Sequence, residues 1–250
     1  MPTVVAKKLY VLVDYDNLKP FAGRKSIAAI AQHLVMQIPA GSTSGHTHIE
    51  VRLYGGWRRS SQSTRQAQAL AAEIALLSLP MPMTVSHGGN SHTLVVDVVL
   101  AYASLCLPAI PLEETFAVGR AAKRHYADPR PWTACADNKA CPLNAVDMFL
   151  MDDVCPNQKC AARPKDVLKQ DEQKQVDTLI VADLAYVAFM KASTDVVVVS
   201  SDIDVWPGVL LCLWRGKNVV HLHTWPGAVT PGTHLAALNI YRPRYAMASV

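Results

Sequence analysis

Two apolar runs of this chain end in clustered carboxylates. "VLVDYDNL" closes on Asp14, Asp16 and Asn17, and "VVVVSSDIDVW" runs into Asp202 and Asp204. Aspartates gathered in one cleft repel each other, and without a counter-charge at least one takes up a proton. A divalent cation removes that penalty. Hard carboxylate oxygens suit Mg²⁺ or Mn²⁺, which keep waters and bind substrate phosphate. Such an ion activates water and stabilises charge that develops on a phosphodiester. The candidate ligands and catalytic acids are Asp14, Asp177, Asp202 and Asp204. Asp177 opens a helical run, where an acid is also favoured by the helix dipole. One aspartate after a strand is an ordinary loop residue; two strand ends with the same signature point to chemistry.

These acids need a scaffold that brings remote strand ends together. Leu9 to Val13 is apolar on both faces and reads as a buried strand. Ser26 to Ile38 has apolar residues at helical spacing, with Ser26 as N-cap. Ile49 to Trp57 reads as a second strand, ending around Gly55 and Gly56. Ser63 to Leu77 is Ala-rich and helical in period, and Pro80 and Pro82 end it. Met83 to Leu100 fits a hairpin around Gly88, Gly89 and Asn90, although Thr93 to Leu107 also fits a helix. Further on, Val176 to Lys191 reads as a helix, Asp195 to Asp204 as a buried strand running into its carboxylates, Val209 to Trp214 as a short helix, and "NVVHLHTW" as the last strand. Alternating strands and helices predict an α/β, Rossmann-like parallel sheet flanked by helices. Ligands of such sheets sit at the carboxyl ends of the strands, where these aspartates fall.

The periodic pattern breaks at residues 108–170, where prolines, charges and four cysteines take over. This predicts an insertion between two parts of one domain, residues 1–107 and 171–250. Cys135, Cys141, Cys155 and Cys160 are spaced C-x5-C-x13-C-x4-C, two close pairs of the kind that tetrahedral Zn²⁺ takes. A segment with so little apolar content has little core, and a metal would supply folding energy. The plainer alternative is four unrelated thiols in a loop. Cys106 and Cys212 stand in apolar contexts and are expected to be buried.

"VLVDYDNL", "EVRLYGGW", "KQVDTLIVADLAYVA" and "VVVVSSDIDVWPGV" together resemble the successive motifs of NYN-domain proteins, members of the PIN-like nuclease superfamily. The likeness covers Leu9 to Trp57 and Glu172 to His223. Asp14 and Asn17 match an Asp-x-x-Asn after the first strand, Lys174 and Asp177 a Lys-x-x-Asp that opens a helix, and Ser200, Asp202 and Asp204 a Ser-x-Asp-x-Asp after a later strand. The resemblance implies a Mg²⁺- or Mn²⁺-dependent nuclease acting on RNA, single-stranded or structured, most simply an endoribonuclease. Asn17 would orient Asp14 or touch substrate. Asp183 also has a counterpart, but six residues past Asp177 is about 240° around a helix, so both cannot easily reach one ion. It is read as structural or as a support to the ligands. Asp16 is expected to point away from Asp14 if the stretch stays extended. Ser201 departs from the glycine common at that place, and the insertion has no counterpart in the minimal domain.

Two rivals use the same residues. "DYDNL" resembles the Asp-x-Asp of haloacid-dehalogenase phosphatases, in which Asp14 would be nucleophile and Asp16 general acid; Lys19 and the placement of Lys174 before Ser200 do not fit it. A non-catalytic RNA-binding module of the NYN kind is the other. Trp57, Arg58 and Arg59 follow the second strand and could stack on and grip single-stranded nucleic acid, or equally form an exposed loop with a partly buried Trp. Lys123, Arg124, His125 and Arg130 read as a solvated face, and His221 and His223 as core or edge histidines. The formal charge of +4 is compatible with an anionic partner. No signal sequence is read at the N-terminus and no apolar run nears ~20 residues, so a soluble, cytoplasmic protein with no membrane partner is expected.

Overall fold

The computed structural model describes residues 8–18, 25–43, 45–87, 90–121, 146, 149–150, 155, 157, 159–167, 169–190, 195–225, 238–241 and 244–250. The chain divides into two compact units, Met1–Thr115 with Gln173–Val250, and Phe116–Glu172. The sequence places the insertion at 108–170, with both boundaries a few residues earlier. In chain order the elements are β1 (Lys8–Asp14), α1 (Ile27–Gln37), β2 (His48–Tyr54), α2 (Arg65–Ala75), β3 (Met81–His87), β4 (Asn90–Leu100), β5 (Phe116–Ala121), β6 (Lys169–Gln173), α3 (Val176–Phe189), β7 (Asp195–Val199), α4 (Trp206–Trp214), β8 (Asn218–His223) and β9 (Tyr245–Ser249). Strands β5 and β6 form a two-stranded sheet of their own.

Seven strands form the main sheet in the order β9-β8-β7-β1-β2-β4-β3. All neighbours run parallel except the β3–β4 hairpin. From β1 the chain steps outward through β2 to β4 and β3, then returns to the other side of β1 as β7. The order therefore reverses between β1 and β7. At such a reversal the connections leave in opposite directions and open a crevice at the carboxyl ends of the strands. An α/β architecture with a mostly parallel sheet is thus the observed fold.

Strand β1 shows why the layers form. Leu9, Val11 and Val13 point to one face and pack with Ile27, Ile30, Leu34 and Val35 of α1. Tyr10 and Leu12 point to the other and pack with Leu179, Ile180 and Leu184 of α3 and Val209 of α4. Burial on both faces explains the unbroken apolar run, and each such side chain contributes about 1.5–3 kcal/mol. Helix α1 starts at Ser26, whose hydroxyl accepts the Ala29 N–H at 3.2 Å. Glu73 of α2 accepts the Ile27 N–H at 2.6 Å, so a second helix helps to cap the first. Helices α3 and α4 meet at Gly208; a Cβ there would lie 2.7 Å from Leu184 Cδ1, so only glycine allows this approach.

Several expectations need correcting. The second strand stops at Tyr54 and does not reach Trp57. The ambiguous Thr93 stretch is strand up to Leu100, held by β3 on one side and β2 on the other. Helix α4 begins at Trp206 rather than Val209, because Pro207 is tolerated in a first turn. Strand β8 is not the last: β9 pairs with it from Val219↔Tyr245 to His223↔Ser249. Cys212 is buried, with its thiol donating to the Leu184 carbonyl at 3.2 Å, but Cys106 is exposed. Cys135 and Cys141 lie outside the described residues, as do Lys123, Arg124, His125 and Arg130. Cys155 is half-buried and Cys160 exposed, both as free thiols. Among the described residues no helix is long and apolar enough to cross a membrane.

Candidate metal centre

The crevice at the β1–β7 reversal is organised around one hydroxyl. Val13 and Val199 are register partners, so Asp14 and Ser200 leave the two strands side by side. Ser200 Oγ donates to Asp14 Oδ2 at 3.3 Å and accepts from Asn17 Nδ2 at 3.1 Å and from the Asp202 N–H at 3.0 Å. A hydroxyl has one proton and two lone pairs, and all three are used. Asn17 also donates its backbone N–H to Asp14 Oδ1 at 3.4 Å and its side-chain amide to Asp14 Oδ2. The link that the resemblance implied between Asn17 and Asp14 is therefore a direct hydrogen bond.

Beyond Ser200 the chain turns tightly. Asp202 caps a short 3₁₀ turn, Ile203–Val205, by accepting the Asp204 N–H at 3.0 Å. Asp177 stands in the first turn of α3, after Gln175, which takes a left-handed backbone at φ +63°. A non-glycine residue there carries about 1 kcal/mol of strain or more, held by the structure around it. Carboxylate oxygens of Asp177, Asp202 and Asp204 lie within 4.8 Å of one another. Asp177 and Asp202 are half-buried and Asp204 is exposed. Asp14 is not one of this group of three, but its charge acts on the same crevice. It is 4% exposed, and its pKa is pushed up to about 6, first by burial and then by the charges of Asp177 and Asp16, against the Asn17 and Ser200 hydrogen bonds. Asp177 is raised as well, by burial and then by Asp202 and Asp204. Among the described residues, no Lys, Arg or His forms an ion pair with any of these four acids.

Asp183 behaves otherwise. It is 0% exposed and takes bonds from the Tyr54 hydroxyl at 2.6 Å, the Ser104 hydroxyl at 2.6 Å and the Leu105 N–H at 2.7 Å, with Arg52 Nε 3.6 Å away. It ties α3 to β2 and to the segment after β4, as its place on the helix predicts. Lys174 precedes α3, half-buried, and its backbone N–H bonds the Thr115 carbonyl at 3.0 Å. Asp16 does not lie on an extended segment: Tyr15 to Leu18 is a turn, closed by the Leu18 N–H on the Tyr15 carbonyl at 3.1 Å. Strand alternation therefore does not turn Asp16 away, and its charge reaches Asp14.

The expected stacking role of Trp57 is overturned. Its indole is 0% exposed, donates to the Leu53 carbonyl at 2.8 Å, and packs on Tyr15. It also fills the space over Gly55, where a Cβ would come within 2.7 Å of the ring. Arg58 is half-buried, with Nη2 donating to the Ser61 carbonyl at 2.8 Å, and Arg59 is exposed. Both belong to a two-residue ribbon with Gln62–Ser63.

Compared with known proteins, the chain matches no family model, no curated protein and no solved structure.

Sequence reasoning missed two supports of the crevice. His221 lies under Ser200: its Nε2 is 2.8 Å from the Ser200 carbonyl and its Nδ1 3.1 Å from the Tyr245 hydroxyl. A carbonyl only accepts, so Nε2 carries the proton and Nδ1 accepts from tyrosine. Burial, then the neighbouring His223, push the His221 pKa down to about 4, so it is neutral at pH 7. The His221–His223 alternation was visible, but the partner Tyr245 stands in a strand that was not. Ser201 is the second support. Its hydroxyl oxygen accepts the N–H groups of Thr224 at 2.9 Å and Trp225 at 3.1 Å, pinning the end of β8 to the acidic loop.

Proposed function

We propose that this protein is a divalent-metal-dependent ribonuclease of the NYN kind, hydrolysing RNA phosphodiester bonds at the crevice between β1 and β7. One observation carries the reading. Asp177, Asp202 and Asp204, from two separate segments, converge within 4.8 Å beside a buried Asp14, and no described cation is paired with any of them. Such a donor set is all hard oxygen, which fits Mg²⁺ or Mn²⁺. Asp177, Asp202 and Asp204 would hold the ion, with Asp14 completing the acidic set. When bound, the ion would supply an activated water and charge stabilisation at the phosphodiester. The chain's own contribution is positioning. Asn17 and Ser200 fix the Asp14 carboxylate, the Ser200 hydroxyl fixes the Asp202 backbone, and His221 holds the Ser200 carbonyl from below. Fixing donors before the reaction avoids reorganising them during it.

The reading includes a structural Zn²⁺ at Cys135, Cys141, Cys155 and Cys160, and a cytoplasmic location. The test is incubation of purified protein with single-stranded RNA, structured RNA and DNA, in Mn²⁺, Mg²⁺ or EDTA. RNA cleavage that needs the metal is the expected result. RNA binding without cleavage identifies a non-catalytic module, and phosphate release from small monoesters alone identifies a phosphatase. Elemental analysis of the same sample should find about one zinc per chain, the content of one tetrahedral site.

A further inference from the structure

The acidic crevice has an aromatic neighbour to which the proposed reaction gives no role. Trp225 follows β8 directly and is 52% exposed. Among the described residues its ring has no aromatic or cationic partner. The other strongly exposed indole among the described residues, Trp214, differs, since the Arg215 guanidinium lies 5.5 Å from its ring and 4.7 Å from that of Phe189. Leaving a large apolar ring in water forfeits burial of about 25 cal/mol per Å². An exposed ring on a loose loop would carry no argument, but the backbone that bears this one is anchored. Its backbone N–H is held by Ser201 Oγ at 3.1 Å, and the same oxygen takes the Thr224 N–H at 2.9 Å and lies 3.2 Å from Thr224 Oγ1. Ser201 immediately precedes Asp202, and successive Cα atoms are about 3.8 Å apart. The backbone that carries Trp225 is thus hydrogen-bonded to the residue that immediately precedes Asp202, a carboxylate of the proposed metal set. Ile203, between Asp202 and Asp204, is 61% exposed and adds a second apolar side chain at this rim.

We infer that Trp225 is the platform on which an unpaired base stacks when the adjoining phosphate is held at the acids, so that the strand is read single-stranded at this point. The inference rests on the ribonuclease reading and deepens it. The chemistry is direct. Any phosphate at the crevice brings the bases of its two nucleotides with it, and an unpaired base offers a π-face that water covers poorly. An exposed indole on this anchored backbone would cover that face whatever the base, which is how single strands are gripped without sequence preference. A duplex, whose bases are already stacked, gains nothing from it. In this arrangement the acids hold the backbone, and Trp225 selects for unpaired nucleotides.

The test is fluorescence anisotropy with a labelled single-stranded RNA and the same RNA in a duplex, in Ca²⁺, for wild type, Trp225→Ala and Trp225→Phe. Trp225→Ala should bind the single strand about tenfold more weakly, the size of one lost base–aromatic stack. Trp225→Phe, which keeps a π-face, should recover most of that loss. Duplex binding should not change. The slope of log affinity against log salt should not change either, because no phosphate contact is removed. If wild type binds and cleaves single-stranded RNA while Trp225→Ala binds it equally well, the platform is wrong and the ribonuclease reading stands. A loss shared by single strand and duplex, or not recovered by Phe, shows a collapsed corner instead of a lost stack and also overturns the inference. If wild type neither binds nor cleaves RNA, the reading and the inference fall together.

Discussion

Helix α3 carries two aspartates six residues apart, and the fold treats them in opposite ways. Asp183 is fully buried and fully answered: two hydroxyls, one backbone N–H and Arg52 surround its carboxylate. Asp177 is half-buried, and the charges that act on it are Asp202 and Asp204, which oppose its own. Arg52 itself is shared with Glu50 at 3.0 Å, and Glu50 with Lys8 at 2.7 Å, so the Asp183 side of the sheet is a balanced network. This chain therefore has the means to compensate a buried carboxylate. At the β1–β7 crevice it gathers four acids with no described ion-pair partner. A structural role accounts for Asp183. The crevice is what the proposed metal role would account for.

Breaking the balanced side should do the most damage to folding. Asp183→Ala leaves the Tyr54 and Ser104 hydroxyls, the Leu105 N–H and part of Arg52 without their acceptor. We expect a loss of about 3–5 kcal/mol, the range for removing one partner from a buried charged network. Denaturant unfolding followed by circular dichroism measures it. Asp204→Asn, in the crevice, should by contrast leave stability unchanged or raise it, since it removes repulsion. If the two variants lose stability equally, the contrast drawn here is wrong.

The next effect is set by pH. His221 is buried and neutral, with its pKa lowered from 6.5 to about 4. The unfolded chain binds that proton more readily than the folded one between those values. Stability from this group is therefore complete above about pH 6.5 and is lost as pH falls toward 4, by roughly 3 kcal/mol. Asp14, raised to about 6, contributes in the opposite sense over the same range, so His221→Gln, which keeps a donor for the Ser200 carbonyl, should shift the acid side of the curve toward greater stability relative to wild type while lowering stability at neutral pH. An unchanged acid limb in that variant would assign the acid sensitivity to another group.

A smaller, ion-dependent effect sharpens the other side of the contrast. Mn²⁺ or Mg²⁺ at a hundredfold over its dissociation constant should stabilise the native protein by about 2.7 kcal/mol. Asp202→Asn should remove most of that gain, and Asp183 should have no part in it. Thermal melts with and without the ion, at fixed ionic strength, give both numbers. Equal stabilisation of wild type and Asp202→Asn would place the ion elsewhere.

What could be read from the sequence follows from how local each signal is. Strands β1 and β7 announce themselves because both faces are buried and the run of Val and Leu is unbroken. Helix α1 announces itself through its Ser26 cap and its apolar stripe. The meeting of Asp14 with the Ser200–Asp204 loop was legible one step further, because a parallel sheet brings carboxyl ends to one edge. Strand β9 was not legible: "YAMAS" is a short edge strand with a half-exposed pattern, and its pairing with β8 is a tertiary fact. Trp57 looked like a surface aromatic because Arg58 and Arg59 follow it. Its burial depends on Gly55 and Tyr15, which only the folded chain sets against it. Asp16 was misjudged because a turn replaced the extended segment that alternation assumes. Ser200 was noted only through the resemblance, and its threefold hydrogen bonding arises from three segments that meet in space. Trp225 gave no signal, since the bond that holds its backbone to Ser201 joins two segments remote in sequence.

The central claim is that the uncompensated acids are a metal centre that cleaves RNA, and single-turnover cleavage of labelled RNA in Mn²⁺ by wild type, Asp14→Asn and Asp202→Asn tests it most directly, with circular dichroism confirming that each variant is folded. Both substitutions keep the shape and remove the charge, so each should slow cleavage about a hundredfold, equivalent to about 3 kcal/mol of transition-state stabilisation. Wild-type rates in both folded variants would contradict the account.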